Sequence, residues 1–168
     1  APHYFTLTDE IVRSFDTNTK VYPPLRTASD IAAIEEGLRD GTIDAIASDH
    51  APHGLSDKEV EYEFASSGIS GLETSLALSL ALVAKGVLGP ADLVRKMSLN
   101  PAAILKVPGG TLRIGAVADI TVIDPGKGWT VDVAKFRSQG KNSPFQGRTL
   151  TGKAVLTIVG GAVKHREL

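Results

Sequence analysis

One feature most constrains the fold of this chain: an apolar segment is followed directly by a cluster of chemically active side chains. Residues 43–47 (IDAIA) are typical of a short buried strand, and Asp49 follows at its carboxyl end. His50 and His53 come next, with Pro52 stiffening the turn between them. In barrels and open α/β sheets, catalytic groups gather at that edge. A carboxylate there can bind a metal ion or move a proton, and a histidine can bind an anion. The same residues also suit a polar turn capped by Asp49.

The composition narrows the classes of function without selecting one. The 168 residues are 42% hydrophobic and 22% charged, as in soluble globular domains. A net charge of −1 gives no electrostatic reason to expect nucleic acid or an anionic membrane as a partner. Because cysteine is absent, disulfides and thiolate metal sites are excluded. We expect a cytoplasmic protein, since no signal peptide is recognisable and no apolar run approaches the roughly 18 residues of a membrane-spanning helix.

Apolar periodicity and turn residues predict a helical part followed by a β part. They predict a short helix up to Phe15, a helix from Thr27 or Ser29 to Gly41, and helices over 72–85, 90–98 and 101–106. Ser70 and Glu73 are spaced as a capping box for the helix 72–85. Short β-branched runs predict strands at 120–123, 130–131 and 155–159. We therefore expect an α/β fold, with residues 1–107 forming strand–helix units and residues 108–168 a small β domain.

Ten short motifs follow one another along nearly the whole chain. They are PHYF at 2–5, DTNTKV at 16–21, PPLR at 23–26, DGTID at 40–44, SDHAPH at 48–53, GISGLET at 68–74, NPA at 100–102, GTL at 110–112, ADI at 118–120 and NSPF at 142–145. In this order they resemble the C-terminal portion of a bacterial-type (class I) dihydroorotase, within the cyclic amidohydrolase superfamily. Several are shared with allantoinases and hydantoinases, whereas the run DHAPH, which ends in His53, points to dihydroorotase.

The resemblance implies a zinc-dependent hydrolase built on a (β/α)₈ barrel, with a binuclear metal centre at the strand ends and a small β-sandwich-like domain. Its reaction is the reversible hydrolysis of dihydroorotate to N-carbamoyl-aspartate in pyrimidine biosynthesis, for which zinc supplies hydroxide near neutral pH. A barrel of this kind takes about 250 residues, and at least roughly 200. Residues 1–107 can therefore supply only its C-terminal strand–helix units, and the barrel is expected to be incomplete in this chain.

The resemblance also assigns roles to individual residues. Asp49 resembles the metal-site aspartate of the last barrel strand, which in the family also carries a proton from the attacking water to the leaving nitrogen. His53 resembles the histidine that binds the substrate carboxylate. Ser67 and Gly68 match a loop that contacts substrate through its backbone, and glycine suits a close backbone approach. Tyr22 stands where the family usually has a substrate-binding asparagine, so it is a substrate-binding candidate that departs from the pattern.

Most metal ligands of the family have no counterpart among these residues. The family's H-x-H pair, its bridging aspartate or carboxylated lysine and its two further histidines belong to the N-terminal half. The histidines here are His3, His50, His53 and His165, and no two are spaced as H-x-H. Asp49 would be one ligand where a binuclear site needs several. We therefore expect the isolated chain to bind no metal pair and to have negligible dihydroorotase activity.

Two other functions stay open. An allantoinase or hydantoinase acting on another cyclic amide is favoured by Tyr22 and opposed by His53. A catalytically inactive dihydroorotase-like partner of aspartate transcarbamoylase would account for the absent ligands, while the retained DHAPH run argues against it. Association through the apolar helix 72–85, such as a homodimer, is a further possibility.

Several polar residues carry both a functional and a structural interpretation. His50 could be a ligand or a turn residue bonded to backbone, and His3 could be a ligand only outside the family's pattern. Asp44 could be a second metal carboxylate or a strand-end residue. Arg26 could bind a substrate carboxylate or form an ion pair with Asp30, Glu35 or Glu36. The alternating glutamates of 59–63 could form a solvated flap or one that closes over a site.

Overall fold

The computed structural model of the chain describes residues 1–167. Its α-helices are α1 (Ala28–Asp40), α2 (Leu55–Lys58), α3 (Leu72–Ala84), α4 (Pro90–Val94) and α5 (Asn100–Leu105). Its strands are β1 (Ile120–Thr130), β2 (Thr149–Val159) and β3 (Ala162–Arg166). A π-helical turn, Arg95–Leu99, joins α4 to α5, and 3-10 turns lie at Pro2–Phe5, Asp9–Ser14, Thr17–Thr19 and Val133–Lys135. No helix within this range is both long enough and apolar enough to cross a bilayer.

Helix α1 begins and ends where the sequence predicts. Thr27 is the N-cap, and its backbone N–H donates to Oδ2 of Asp30 over 3.0 Å. Gly41 follows the last turn with φ +88°, a left-handed conformation that glycine adopts without penalty. Local chemistry is therefore sufficient to define this helix.

Helix α3 has the predicted bounds to within one residue, but its predicted cap is wrong. The hydroxyl of Ser70 lies 2.6 Å from the carbonyl oxygen of Gly140, and Glu73 accepts hydrogen bonds from Ser138. Both capping-box side chains are thus engaged by residues 65 and 70 positions away. Nδ1 of His50 replaces them, because it accepts the N–H groups of Gly71 and Leu72 over 3.1 and 3.4 Å. A tertiary cap has displaced the local one.

The predicted strand at 43–47 is extended but forms no sheet within the described range 1–167. The N–H of Ile46 donates to the carbonyl of Lys96 over 2.9 Å, and a single parallel bridge joins His50 to Ile69. A strand needs a neighbouring strand to complete its hydrogen-bond ladder, and none lies beside this segment here. The prediction of a formed strand is therefore wrong for this chain.

The sheet is antiparallel in the order β1-β2-β3. The predicted runs at 120–123, 130–131 and 155–159 fall almost entirely within β1 and β2, although β1 is longer than expected and bulged near 122–128. Gly160 and Gly161, at φ +56° and +79°, make the two-residue turn from β2 to β3. One face of β2 packs on α3, where a Cβ at Gly152 would overlap Leu80. The second layer that a sandwich needs is not found in residues 108–167, so the sandwich stays a prediction.

A hydrophobic core joins the two predicted parts of the chain. Its buried members come from both sides of residue 107: Leu7, Val21, Leu25, Ile69, Leu78, Val131, Phe136 and Phe145. Another cluster packs α1 and α3 against the segment that follows them, with Leu38, Leu82 and Leu93 at its centre. The division at residue 107 stays a prediction, but the segments on either side of it share one core and hold each other in place.

Candidate active site

Asp49 lies at a strained bend immediately after the extended segment. Its φ of +48° is left-handed, a conformation rare for residues other than glycine and tolerated best by Asn and Asp. Such residues cost about 1–3 kcal/mol and persist where the surroundings hold them, often at functional sites. The side chain is 52% exposed, so the carboxylate is available to a ligand.

His3 lies beside this carboxylate. Its Nε2 is 3.4 Å from Oδ2 of Asp49, yet this buried nitrogen has no hydrogen-bond partner with good geometry within residues 1–167. Burial lowers the pKa of His3 to about 4, and the nearby Asp49 opposes that change only in part. The imidazole is therefore neutral at pH 7, and it contacts Asp49 as a dipole rather than as a charge.

His53, Ser67 and Gly68 lie together. Nε2 of His53 is 3.0 Å from the carbonyl oxygen of Ser67, which can only accept, so Nε2 carries the proton. Gly68 has φ +149°, and a Cβ there would lie 2.9 Å from Nε2 of His53 and 2.6 Å from Cβ of Ala51. Only glycine allows the two loops to approach so closely.

Tyr22 lies near this pair through its backbone rather than through a side-chain contact. The carbonyl of Lys20 accepts the N–H of Gly68 over 2.8 Å, which places residues 20–22 beside the glycine loop. The Tyr22 side chain is 83% exposed, and its peptide bond to Pro23 is cis. The aromatic ring therefore has no packing role that ties it to this position.

Two lysines hold the segment 54–67 to its surroundings. The Nζ of the buried Lys58 donates to the carbonyls of Ser66 and Gly68 over 2.7 and 3.3 Å. Burial lowers the pKa of Lys58, with an opposing contribution from Asp16. Nζ of Lys20 donates to two further carbonyls, those of residues 62 and 63. The glutamates at 59, 61 and 63 are exposed, as on a solvated face.

Asn142 is a residue of this site to which the sequence assigned no role. It is only 4% exposed, and its side-chain amide contacts both the 50–53 loop and the loop at Gly68. In the sequence analysis the motif NSPF at 142–145 contributed only to the family resemblance. The one sequence signal for a role of Asn142 was a polar residue close to Phe145, an aromatic residue expected to be buried. The partners of Asn142 lie 72 to 91 residues away in sequence, beyond the reach of local pattern.

The remaining candidates have structural surroundings. His50 caps α3, in keeping with its structural interpretation. Arg26 forms no ion pair within residues 1–167, because Glu35 pairs with Lys85, and Glu36 pairs with Arg39. Asp30 is likewise taken, by Thr27. The carbonyl of Asp44, an exposed residue, accepts from Asn100 over 2.8 Å.

The residues of this chain could supply only part of the ligand set of a metal site. Residues 1–167 contain no cluster of three or more His, Asp or Glu side chains able to hold an ion. Asp49 contacts Nε2 of His3, a nitrogen without a hydrogen-bond partner in residues 1–167, at the end of the extended segment. A metal centre built on Asp49 would therefore need ligands from outside these residues.

A cleft of about 630 Å³ lies elsewhere, between α3 and the sheet. Its walls include Glu73, Trp129, Phe136, Lys153 and His165, and none of the predicted site residues lines it. The predicted site residues and this cleft are therefore separate features of the molecule.

Comparison with known proteins identifies the family to which the chain belongs. The sequence profile of the amidohydrolase family matches residues 6–164. A dihydroorotase of Syntrophus aciditrophicus is 64% identical over 166 residues, which are 99% of this chain and 39% of that protein. A dihydroorotase of Geobacter metallireducens is 59% identical, with the same coverage. The chain thus spans about two fifths of the length of these curated relatives.

Solved structures give the same fold. An L-hydantoinase (dihydropyrimidinase) from Arthrobacter aurescens superposes with a TM-score of 0.92 at 37% identity, covering 99% of this chain and 38% of that one. A dihydropyrimidinase from Brevibacillus agri superposes with a TM-score of 0.91 at 24% identity and the same coverage, a likeness of fold alone.

Proposed function

Because the chain belongs to the amidohydrolase family, we propose that it is the part of a zinc-dependent dihydroorotase that supplies Asp49 and the substrate-binding loops. The reaction is the reversible hydrolysis of dihydroorotate to N-carbamoyl-aspartate. In this proposal residues 1–107 are the C-terminal strand–helix units of a (β/α)₈ barrel, and residues 108–168 belong to a small β-sandwich-like domain. The observation that carries the proposal concerns His53, which lies four residues after Asp49. Its imidazole closely approaches Ser67 and Gly68.

Asp49 is the residue that would hold the metal and move the proton. Zinc, when bound, provides the Lewis acidity that makes hydroxide available near pH 7. The exposed Asp49 carboxylate can accept the proton of the attacking water and return it to the leaving amide nitrogen. His3, neutral and buried behind it, limits the directions that this carboxylate can take.

His53 and the glycine loop would bind the substrate carboxylate. With Nε2 donating to Ser67, His53 can meet a carboxylate through a protonated Nδ1, or through Nε2 if the substrate displaces the Ser67 carbonyl. Both backbone groups of Gly68 are already engaged, its N–H by Lys20 and its carbonyl by Asn142. The exposed Ser67 is therefore the residue of the pair that remains for a substrate contact.

A hydantoinase or allantoinase is the second candidate. The 37% identity to the Arthrobacter L-hydantoinase and the exposed Tyr22, which replaces the family's asparagine, favour it. His53 and the higher identity to dihydroorotases favour the first proposal. The inactive partner of aspartate transcarbamoylase, a homodimer and a cytoplasmic location stay predictions.

The test is a substrate panel with the protein expressed at the length of its relatives. Loaded with zinc, it should hydrolyse dihydroorotate with a kcat/KM at least tenfold above those for hydantoin and allantoin. If hydantoin or allantoin is the better substrate, the result supports the second candidate function and contradicts the first. Co-purification with a transcarbamoylase and no turnover of any of the three would favour the inactive partner. The 168-residue chain assayed alongside should give no turnover.

A further inference from the structure

We propose that Asn142 is a positioning residue that holds the two substrate-binding loops in register, acting through the backbone of His53. This inference rests on the proposed function, because the proposed function assigns substrate binding to these loops. It concerns a residue of the β part, 89 positions from His53 in sequence.

The side-chain amide of Asn142 bonds to the backbone of both loops. Oδ1 accepts the N–H of His53 over 2.9 Å. Nδ2 donates to the carbonyls of Ala51 and Gly68, each over 3.0 Å. The hydroxyl of Ser70 lies 2.9 Å from the same Oδ1. Both donors of the amide are therefore engaged, and its oxygen accepts the N–H of His53.

This arrangement requires an amide and not merely a polar side chain. An aspartate at 142 has the same shape and keeps the acceptor for His53, but it turns an oxygen towards two carbonyls that need a donor. Because Asn142 is 4% exposed, water cannot replace the lost donors. Asparagine is thus the residue that meets one N–H and two carbonyls at once.

The neighbours of Asn142 reinforce the same contact. The backbone carbonyl of Asn142 accepts the N–H of Ser70 over 2.8 Å, immediately before α3 begins. A Cβ at Gly140 would lie 2.6 Å from Cβ of Pro52 and 2.7 Å from N of His53. The 140–142 segment therefore packs directly on the turn that presents His53. A shift of this segment moves the imidazole.

The experiment is a double-mutant cycle in the protein expressed at the length of its relatives. Asn142→Ala, His53→Ala and the pair are compared by kcat and KM for dihydroorotate. If Asn142 acts through His53, Asn142→Ala raises KM about tenfold with a smaller change in kcat, and it adds less than twofold when His53 is already alanine. A purely structural role gives multiplied effects in the double variant. That result overturns the inference.

Two further variants keep the test decisive. Ser143→Ala is the matched control, because Ser143 is equally buried, but among residues 1–167 its hydroxyl bonds only to the N–H of Phe145. It should leave KM within twofold. If Asn142→Ala does not fold, Asn142→Ser, which keeps a polar but shorter side chain, enters the cycle. Failure of both to fold assigns Asn142 to the fold alone and overturns the inference.

Amide hydrogen exchange separates this inference from the proposed function. In Asn142→Ala or Asn142→Ser, exchange at His53 should be at least tenfold faster than in the parent, while exchange within α1 is unchanged. This measurement needs no substrate. A parent that lacks dihydroorotate turnover but gives this exchange result defeats the proposed function and leaves the positioning contact standing. Unchanged exchange at His53 in an active parent defeats the inference alone.

Discussion

Nε2 of His3 lies 3.4 Å from Oδ2 of Asp49, so a buried neutral imidazole lies against an exposed carboxylate at the end of the extended segment. The contact joins the first 3-10 turn of the chain to the strained residue at 49. Groups behind a metal-binding carboxylate commonly fix its orientation. If Asp49 binds zinc as proposed, His3 is the group in that place.

Replacing His3 should therefore weaken the metal centre more than the fold. We expect His3→Gln to reduce zinc affinity or kcat by about tenfold, the lower end of such effects, in the protein expressed at the length of its relatives. Zinc content after dialysis and kcat are the measurements. His165→Gln, at a half-exposed histidine of β3, is the control, and an equal loss in both variants would contradict the assignment.

Gly68→Ala should destabilise the protein and displace His53. The new Cβ would lie 2.6 Å from Cβ of Ala51 and 2.9 Å from Nε2 of His53, in addition to the strain at φ +149°. We expect a loss of about 1–3 kcal/mol of unfolding free energy, with a raised KM. Gly147→Ala is a matched control, because φ is +77° there and nothing lies within 4 Å of the new Cβ. A KM that rises equally in both variants would exclude a direct effect on His53.

Glu73 should make stability depend on pH in the acid range. Burial raises the pKa of Glu73, but hydrogen bonds from the N–H and hydroxyl of Ser138, over 2.8 and 2.7 Å, outweigh it and hold the pKa below its ordinary 4.5. A carboxyl whose pKa is lower in the folded state stabilises the fold above pH 4.5, and that contribution is lost as the pH falls through the folded pKa.

Urea unfolding midpoints of the parent and Glu73→Gln measure this contribution. The variant should be less stable at pH 7, and the difference should shrink as the pH falls below 4.5. A difference that stays constant from pH 7 to pH 3 would mean that Glu73 contributes through shape rather than charge.

Tyr22→Asn restores the residue that the dihydroorotase pattern has at this position. Because the side chain is 83% exposed, the unfolding free energy should change by no more than about 0.5 kcal/mol. The amide adds a donor and an acceptor beside the glycine loop, so KM for dihydroorotate should fall. The comparison of KM for dihydroorotate and hydantoin before and after the change is the measurement. A gain for hydantoin alone would support the second candidate function.

The features that depend on local chemistry were predictable from sequence. Helix α1 needed only Thr27 and Gly41. The role of Asp49, which the sequence places after an apolar run, stays a prediction. The left-handed φ of Asp49 was not predictable, because residues from the chain's beginning and from the glycine loop pack around that bend.

The features that depend on long-range partners were not predictable from sequence. Ser70 and Glu73 have the spacing of a local cap, but Gly140 and Ser138 bind them in the folded chain. The role of Asn142 likewise depends on partners 72 to 91 residues away, which no window of sequence places together. Position in the fold, rather than residue type, defines these contacts.

Hydrolysis of dihydroorotate by the zinc-loaded protein at the length of its relatives, with and without Asp49→Asn, tests the central claim most directly. Asparagine tolerates the left-handed φ of +48°, so the variant should fold with an unchanged melting temperature. The account predicts turnover in the parent and a loss of at least about 100-fold in the variant. A variant as active as the parent, or a zinc-loaded parent with no turnover, would contradict it.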